Sequence, residues 1–312
     1  MALKQVIEIY ELLDSPKANG ERVASLLKKR GLKNIEVVPI EGEKGKTDSI
    51  KIWIDGINGR STGGNAPTLG IIGRLGGIGA RPHQIGLVSD ADGGVAALSI
   101  ALKLGDMKEQ GDSLPGDVII ATHICPFSPI IPHDPVPFMG SPVAMKSLND
   151  HEVDPQMEAI LSIDTTKGNR IINERGFAIS PTVKEGYILR VSEDLLRIME
   201  HTTGRRPRVF AITTQDITPY GNGLFHLNSI MQPSTATQAP VVGVAPTTES
   251  VVPGCATGAS HIVDIEEIVR FCIEVAKQFG TGQCRFYVEE EFKKLVELYG
   301  PMNHLQTLGR RK

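Results

Sequence analysis

The sequence predicts an α/β fold in three layers, α/β/α, around a mostly parallel, mixed sheet. Short buried apolar runs, typical of strands, alternate with amphipathic helical patterns along nearly the whole chain. The 312 residues, of which 40% are hydrophobic and 22% charged, are enough for one large core. No internal repeat and no linker interrupts the pattern. We therefore predict a single α/β domain over residues 1–312, without an evident lid insertion.

Composition excludes several classes of partner. The formal net charge of −3 provides no basic field for a phosphate backbone, so nucleic acid is not expected as a partner. No apolar run reaches the roughly 18–20 residues of a membrane span, and residues 1–6 do not resemble a signal peptide. The cysteines are too dispersed for a zinc ribbon or a disulfide framework: Cys125, Cys255, Cys272 and Cys284. We expect a cytoplasmic protein with reduced thiols.

The first half of the chain contains two helices followed by strands. Apolar residues at helical spacing predict a helix over residues 3–13, and a basic last turn before Gly31 ends the next one. Alternation of isoleucines with Lys51 and Trp53 predicts a half-exposed strand. The strands predicted here are Ile35–Ile40, Ile50–Ile54, Leu69–Gly73 and Asp117–Ala121.

The second half continues the alternation of strands and helices. The predicted strands are Ala159–Ile163, Gly176–Ser180, Tyr187–Val191, Val209–Thr213 and Pro240–Ala245. Helices are predicted after the cap Ser192, over Gly221–Met231, from the Asp264–Glu267 capping pattern, and over Val288–Leu298. The proline-rich stretch from Pro126 to Pro142 follows neither pattern. Long irregular segments in compact domains are usually functional or interfacial, so this one gates a site or forms an oligomer contact.

Residues 87–98 join a short apolar run to a helix through two carboxylates, Asp90 and Asp92, and two glycines, Gly93 and Gly94. The glycines allow another group to approach the start of the helix closely. A carboxylate at this position either caps free backbone N–H groups or points into a cleft at the end of a strand. From this segment alone both interpretations stay open, and capping is the commoner role.

Four polar residues lie where predicted strands end: Asp90, His123, Asp164 and His261. Ligands of parallel sheets bind outside the carboxyl ends of the strands, so these side chains are expected to converge. Carboxylates and imidazoles suit a divalent metal such as zinc, cobalt or manganese, which turns a bound water into a nucleophile. The pattern therefore predicts four metal ligands. Each residue taken alone also has an ordinary alternative as a cap, a turn former or a hydrogen-bonded histidine.

The sequence from Asp90 to Gly94, Asp-Ala-Asp-Gly-Gly, resembles the Asp-x-Lys-Gly-Gly helix start of the co-catalytic zinc aminopeptidase and carboxypeptidase superfamily. Gly70–Gly79 resembles the strand that carries the His-x-Asp pair in glutamyl-aminopeptidase-like catalytic domains. Ile160–Asp164 and Ala259–His261 match the strand with the later carboxylate ligand and the final histidine ligand. The resemblance implies a zinc-peptidase-like (phosphorylase/hydrolase-like) fold, with Asp90 bridging two metals.

The departures from that superfamily are as informative as the matches. Arg74 and Gly76 stand where the superfamily has its first histidine and that residue's aspartate partner. Thr122–Pro126 replaces the paired glutamates, one a general base and one a ligand. We therefore expect a separate family within or near the superfamily, with a degenerate set of metal ligands. Arg74 either contacts the substrate or forms an ion pair with carboxylates in the room of a missing metal.

Three functions remain open. The first is a metal-dependent hydrolase of a peptide or small amide with a rearranged, single-metal site. His123 or Cys125 would complete the ligand set, Asp92 would support a ligand or act as the base, and His133 would contribute to the site or contact the substrate. The second is a catalytically inactive relative that binds a small molecule or a partner. The third is a thiol hydrolase with Cys125 as nucleophile and His123 as base, since residues two apart in an extended segment share a face.

The resemblance also implies self-association. Relatives of this fold commonly form homo-oligomers, and no lid is evident in the sequence. A contact between copies through the proline-rich stretch around His133 would close the site in place of a lid. Light scattering would test this expectation.

Overall fold

The computed structural model describes residues 1–74, 78–167, 172–212 and 229–307. The helices are α1 (Leu3–Leu13), α2 (Gly20–Lys29), α3 (Asp92–Glu109), α4 (Met145–Glu152), α5 (Glu193–Thr203), α6 (Ile262–Gly280) and α7 (Glu289–Tyr299). The strands are β1 (Asn34–Gly42), β2 (Gly45–Ile54), β3 (Leu69–Gly73), β4 (Val118–Ile124), β5 (Ile130–Ile131), β6 (Phe138–Met139), β7 (Ala159–Ile163), β8 (Gly176–Ile179), β9 (Val183–Lys184), β10 (Tyr187–Ile188) and β11 (Val241–Thr247).

The main sheet is mixed and has the order β1-β2-β4-β3-β7-β11-β9-β10, with β8 also paired to β11. Its centre is parallel, because β3 pairs with β4 and β7, and β7 pairs with β11, in the same direction. The outer strands are antiparallel to these. Helices flank this sheet, so the predicted α/β class with a mixed sheet is confirmed, and its parallel part consists of the four central strands β4, β3, β7 and β11.

The two faces of the sheet bury separate apolar clusters. The larger cluster packs α1, α3, α5 and α6 against one face. The other face carries a smaller cluster, which includes Ile72, Ile160 and Met231. This face is covered by α4 and by a short 3-10 helix, Ser229–Thr235. The carboxyl ends of β3, β4, β7 and β11 therefore meet at one edge, between helical layers, as parallel connections require.

Most predicted elements match the structure closely. Strands β3 and β7 have the predicted bounds, and β2 buries its isoleucines while Lys51 and Trp53 are partly exposed. The proline-rich stretch differs, because β5 and β6 pair there as a two-stranded sheet. Around Val209 the structure has a single bridge to Ile179 rather than a strand. The predicted helix at Gly221–Met231 lies mostly outside the described residues, and its last three residues belong to the 3-10 helix.

Helix α3 starts unusually close to the sheet. A Cβ atom on Gly93 would lie 2.5 Å from the carbonyl oxygen of Ile163 and 2.7 Å from that of Arg74. The same closeness holds in reverse, since a Cβ on Gly73 would lie 2.6 Å from the carbonyl oxygen of Gly93. The glycines therefore allow the backbone of β3 and β7 to approach the start of α3 closely. This close approach fixes the position of Asp90 and Asp92.

Gly93→Ala should destabilise the protein by about 1–3 kcal/mol, the usual cost of overpacking a rigid backbone contact. The free energy of unfolding from urea denaturation would measure the loss. Gly258→Ala is the matched control, because a Cβ at Gly258 meets no atom within 4 Å. An equal effect of the two substitutions would contradict the close approach as the cause.

In the part of the chain that the structure describes, none of the helices combines the length and the apolar character needed to cross a membrane.

Candidate functional site

Two of the predicted metal ligands, Asp90 and Asp164, lie together at the carboxyl edge of the sheet. Thr165 joins them, because its hydroxyl donates a 3.0 Å hydrogen bond to Asp90 Oδ1 and its backbone N–H donates one of 2.8 Å to Asp164 Oδ1. The hydroxyl of Ser229 donates to Asp164 Oδ2 at 3.0 Å. The structure therefore brings these two carboxylates to one edge, with Asp90 in the 3-10 helix Ser89–Ala91 that precedes α3 and Asp164 directly after β7.

Asp92 is buried and bound by two groups that hold it in place. Its Oδ2 accepts a hydrogen bond from the ammonium of Lys167, and its Oδ1 accepts one of 2.6 Å from the hydroxyl of Ser260. Lys167 also donates to the carbonyl of Ala259 at 2.7 Å. Burial raises the pKa of Asp92, and the charge of Lys167 opposes that rise. Asp92 thus forms a buried ion pair, and the base role predicted for it competes with this pairing.

This ion pair lies under a loop that leads from β11 to α6 and lines a pocket of about 410 Å³. The loop is pinned at further points to residues around Asp90 and Lys167. The backbone N–H of Asp90 donates to the carbonyl oxygen of Gly254 at 2.8 Å, and the backbone N–H of Val252 donates to the carbonyl oxygen of Lys167 at 3.0 Å. The segment that begins α3 therefore organises the pocket wall, since Ala259, which Lys167 binds, is part of that wall.

His261 and Arg175 line the same pocket. The imidazole Nδ1 of His261 is 3.1 Å from Asp264 Oδ2, and the guanidinium of Arg175 pairs with the same carboxylate at 3.3 Å. The side chain of Arg175 is 54% exposed, and Glu249 is an exposed carboxylate on the pocket lining. The pocket therefore offers a cationic group and an anionic group to a ligand.

Arg74 and His123 lie in a different place, buried under α4 on the opposite face of the sheet. Both bind Glu152: Arg74 Nη1 is 2.7 Å from Oε2, and His123 Nδ1 is 2.7 Å from Oε1. Arg74 also donates to Asn149 Oδ1 at 2.9 Å. Burial alone would raise the pKa of Glu152, but the charge of Arg74 and the hydrogen bond with His123 outweigh it and lower that pKa.

These contacts correct two predictions from the sequence. Arg74 was predicted to contact substrate or to pair with the strand-end carboxylates, but it is fully buried and pairs with Glu152 from α4. His123 was predicted as a metal ligand or catalytic base beside Asp90, yet its Nδ1 binds Glu152 and its ring is buried. The reason is that α4 supplies a carboxylate which the sequence pattern did not assign to any site.

The predicted thiol site is not formed. Cys125 is buried, its Sγ donates to the carbonyl of Phe127 at 3.2 Å, and burial raises the pKa of its thiol. His123 binds Glu152 through Nδ1, and its Nε2 has no hydrogen-bond partner, so it does not bind Cys125. A thiol whose pKa is raised and which lacks a base is a poor nucleophile. His133 lies exposed between β5 and β6.

The predicted metal ligands Asp90, His123, Asp164 and His261 do not come together as one group. Across residues 1–74, 78–167, 172–212 and 229–307, no three side chains among His, Cys, Asp and Glu are grouped so that they could hold a metal ion. Both predicted histidine ligands are engaged elsewhere, His123 with Glu152 and His261 with Asp264. The residues described here therefore do not fit a co-catalytic metal pair, and we derive no reaction step through one.

Three residues of these clusters were missed by the sequence analysis: Glu152, Lys167 and Ser260. Two of them had a usable signal in the sequence. Lys167 follows the strand-end Asp164 by three residues, and Ser260 directly precedes the predicted His261. Glu152 had none, because it belongs to a short helix of mixed composition, Met-Lys-Ser-Leu-Asn-Asp-His-Glu, that follows the proline-rich stretch. Its partners become evident only when α4 is packed on β4.

Comparison with known proteins places the fold and the family. A solved structure of the Legionella pneumophila LapA aminopeptidase is similar over 88% of this chain and 72% of that one, with a TM-score of 0.50 and 12% sequence identity. At this identity the likeness establishes an aminopeptidase-like fold and nothing about activity. A search of curated proteins finds no sequence match. One family model, described as "Protein of unknown function (DUF1177)", matches residues 38–309. Because that match spans most of the sequence, the chain belongs to the DUF1177 family.

Proposed function

We propose that this protein uses its aminopeptidase-like fold to bind a small peptide or a related amide, without the two-metal hydrolysis of the superfamily it resembles. The observation that carries the proposal is the pocket lined by Arg175, Glu249 and His261. A volume of about 410 Å³ lies within the range of small-molecule sites. Its wall is fixed by the buried Asp92–Lys167 pair, so the pocket is preorganised.

The charges of the pocket fit a zwitterion. A guanidinium recognises a carboxylate with two hydrogen bonds, so Arg175 suits the carboxyl end of a peptide. Glu249 suits an α-ammonium group, and His261 offers a ring nitrogen to an amide. The two charged ends of a dipeptide would then be held by opposite charges, which favours peptides over neutral ligands of the same size.

Isothermal titration calorimetry with alanyl-alanine, its N-acetyl form and its C-terminal amide would test the proposal. We expect the free dipeptide to bind at least about 10-fold more tightly than either blocked form, since each block removes one charged contact. In Arg175→Ala the free and amidated peptides should bind equally. In Glu249→Gln the free and acetylated peptides should bind equally. Arg190→Ala, which removes an exposed arginine paired with Glu291, is the matched control.

A single-metal hydrolase is the second candidate, because Asp90 and Asp164 lie on either side of Thr165 at the edge where ligands bind. Elemental analysis of the wild type and of Asp90→Ala separates the two proposals. Binding alone predicts no stoichiometric zinc, cobalt or manganese and an intact peptide after incubation. Stoichiometric metal that is lost in Asp90→Ala, together with peptide cleavage, would establish the hydrolase instead.

A further inference from the structure

Four buried polar atoms without a hydrogen-bond partner gather on the face of the sheet that α4 covers. Among the described residues six such side-chain atoms occur, and four of them are Arg74 Nε, His123 Nε2, Ser162 Oγ and Gln232 Nε2. Each of the four residues is at most 1% exposed. Buried polar groups are nearly always hydrogen-bonded, so four unpaired atoms in one region call for an explanation.

Hydrogen bonds connect three of the four residues. Ile72 pairs with Ala121 in the parallel register of β3 and β4. Two residues further along each chain segment, Arg74 therefore lies beside His123. Arg74 and His123 both bind Glu152. Asn149 links Arg74 to the 3-10 helix, since its Oδ1 accepts from Arg74 and its amide donates to the carbonyl of Gln232 at 3.3 Å.

Ser162 belongs to the same region. It pairs with Ile72 across β3 and β7, and its side chain points to the same face as that of Ile160, two residues earlier. Ile72 and Ile160 are both in the smaller apolar cluster, on the face covered by α4 and the 3-10 helix. Three of the four residues thus lie on or directly after the neighbouring strands β3, β4 and β7, and Gln232 lies on the 3-10 helix that covers this face.

The unpaired atoms are mainly hydrogen-bond donors. The Nε–H of Arg74 and the amide of Gln232 can only donate, the hydroxyl of Ser162 can donate, and Nε2 of His123 donates when both ring nitrogens carry protons. The acceptors nearby are already in use, because both oxygens of Glu152 and the Oδ1 of Asn149 accept hydrogen bonds. A partner that satisfies this set must bring acceptor atoms.

We propose that this cluster of Arg74, His123, Ser162 and Gln232 binds a small anion, a carboxylate or an inorganic oxyanion. Such a ligand supplies only acceptors. Glu152 already balances the charge of Arg74, so the ligand is held by the open donors of Arg74, Ser162 and Gln232 and not by an uncompensated positive charge. The site lies apart from the pocket lined by Arg175 and does not depend on the peptide binding proposed above. It differs also from a metal centre, since a guanidinium rather than an ion would hold the oxygens.

The test is thermal unfolding of protein refolded in chloride buffer and then equilibrated with sodium acetate or sodium phosphate at constant ionic strength. Because the cluster is enclosed, refolding first removes any retained ligand. We expect a saturable rise in Tm with one of the two anions, since a ligand that binds only the folded state stabilises it. Acetate and phosphate distinguish a carboxylate from an oxyanion. No rise over chloride with either anion would overturn the proposal.

The variants Ser162→Ala and Gln232→Leu test whether the anion that raises Tm binds at this cluster. We expect each to weaken the apparent affinity at least about 10-fold, the loss of one hydrogen bond to a charged group. Ser99→Ala is the matched control, because Ser99 is also fully buried but its hydroxyl donates to the carbonyl of Val95 within α3. Stabilisation that persists unchanged in Ser162→Ala and Gln232→Leu, or that is lost equally in Ser99→Ala, would place the anion elsewhere and overturn the proposal.

Discussion

Arg74→Met is expected to lower the free energy of unfolding by about 3–5 kcal/mol at neutral pH, because it leaves the Glu152 carboxylate in the core without its cation. Both side chains of this pair are fully buried. His123 still contacts Glu152 in the variant, yet a single imidazole does not replace the guanidinium, which also binds Asn149. Methionine fills a similar volume, so the loss reports the missing charge rather than a cavity.

Urea denaturation of the wild type and variant would measure this loss. Arg60→Met is the matched control, because Arg60 pairs with Glu158 at 2.9 Å, against 2.7 Å for Arg74 and Glu152, but its side chain is 60% exposed. The urea midpoint of this control variant should hardly change. Arg74→Met combined with Glu152→Leu should recover part of the loss, since both buried charges are then absent. A loss below about 1 kcal/mol in Arg74→Met alone would contradict the account.

The same pair predicts a dependence of wild-type stability on pH. Because the pKa of Glu152 is lower in the folded protein than in the unfolded chain, the folded state binds fewer protons between the two values. Its contribution is therefore present above the unfolded value of about 4.3 and is lost as the pH falls toward the folded value. Arg74→Met should remove this part of the acid sensitivity.

Lys167→Met is expected to have the second large effect, again about 3–5 kcal/mol at neutral pH, because the buried carboxylate of Asp92 loses its cation. It also loses the hydrogen bond to Ala259, so the pocket wall is released at that point. Peptide affinity at the pocket should therefore fall along with stability. Lys293→Met is the control, since its pair with Glu289 is exposed on α7 and its removal should leave both measurements nearly unchanged.

The loss in Lys167→Met should depend on pH in a defined direction. Burial already raises the pKa of Asp92, and removal of the opposing Lys167 charge raises it further. A raised carboxyl pKa means that the folded state holds a proton which the unfolded chain releases above about 4. Stability of the variant relative to wild type should thus fall as pH rises from about 4 through the raised value. Urea midpoints across pH 4–8 would show this, and a loss that shrinks with rising pH would contradict it.

The sequence was informative wherever one pattern determined a local structure. Strands β3 and β7 have the predicted bounds because their short apolar runs end sharply at polar residues. The cap Ser192 begins α5 as predicted, with its hydroxyl accepting from the N–H of Leu195. Asp164 directly follows β7 at the predicted edge, and Asp90 lies beside it in the 3-10 helix Ser89–Ala91 that precedes α3, not at the end of a strand. These features follow from periodicity and topology alone.

The ion pairs could not be predicted in the same way. Arg74 and Glu152 are 78 residues apart, and Lys167 and Asp92 are 75 apart. Their pairing is decided by how α4 packs on the sheet and by how the segment after β7 meets the start of α3, which no local sequence pattern indicates. The resemblance to zinc peptidases implied metal ligands around Asp90 and Asp164, and it gave no indication that Glu152 and Asp92 are paired with Arg74 and Lys167.

The Asp92–Lys167 and Glu152–Arg74 pairs have a consequence for how the protein reaches its native state. In an enzyme whose buried carboxylates wait for a metal, maturation depends on ion supply and can be outcompeted by chelators. Here the compensating positive charges are the side chains of Arg74 and Lys167, which belong to the same polypeptide. These two regions should therefore fold without added metal and should refold unaided in the presence of a chelator.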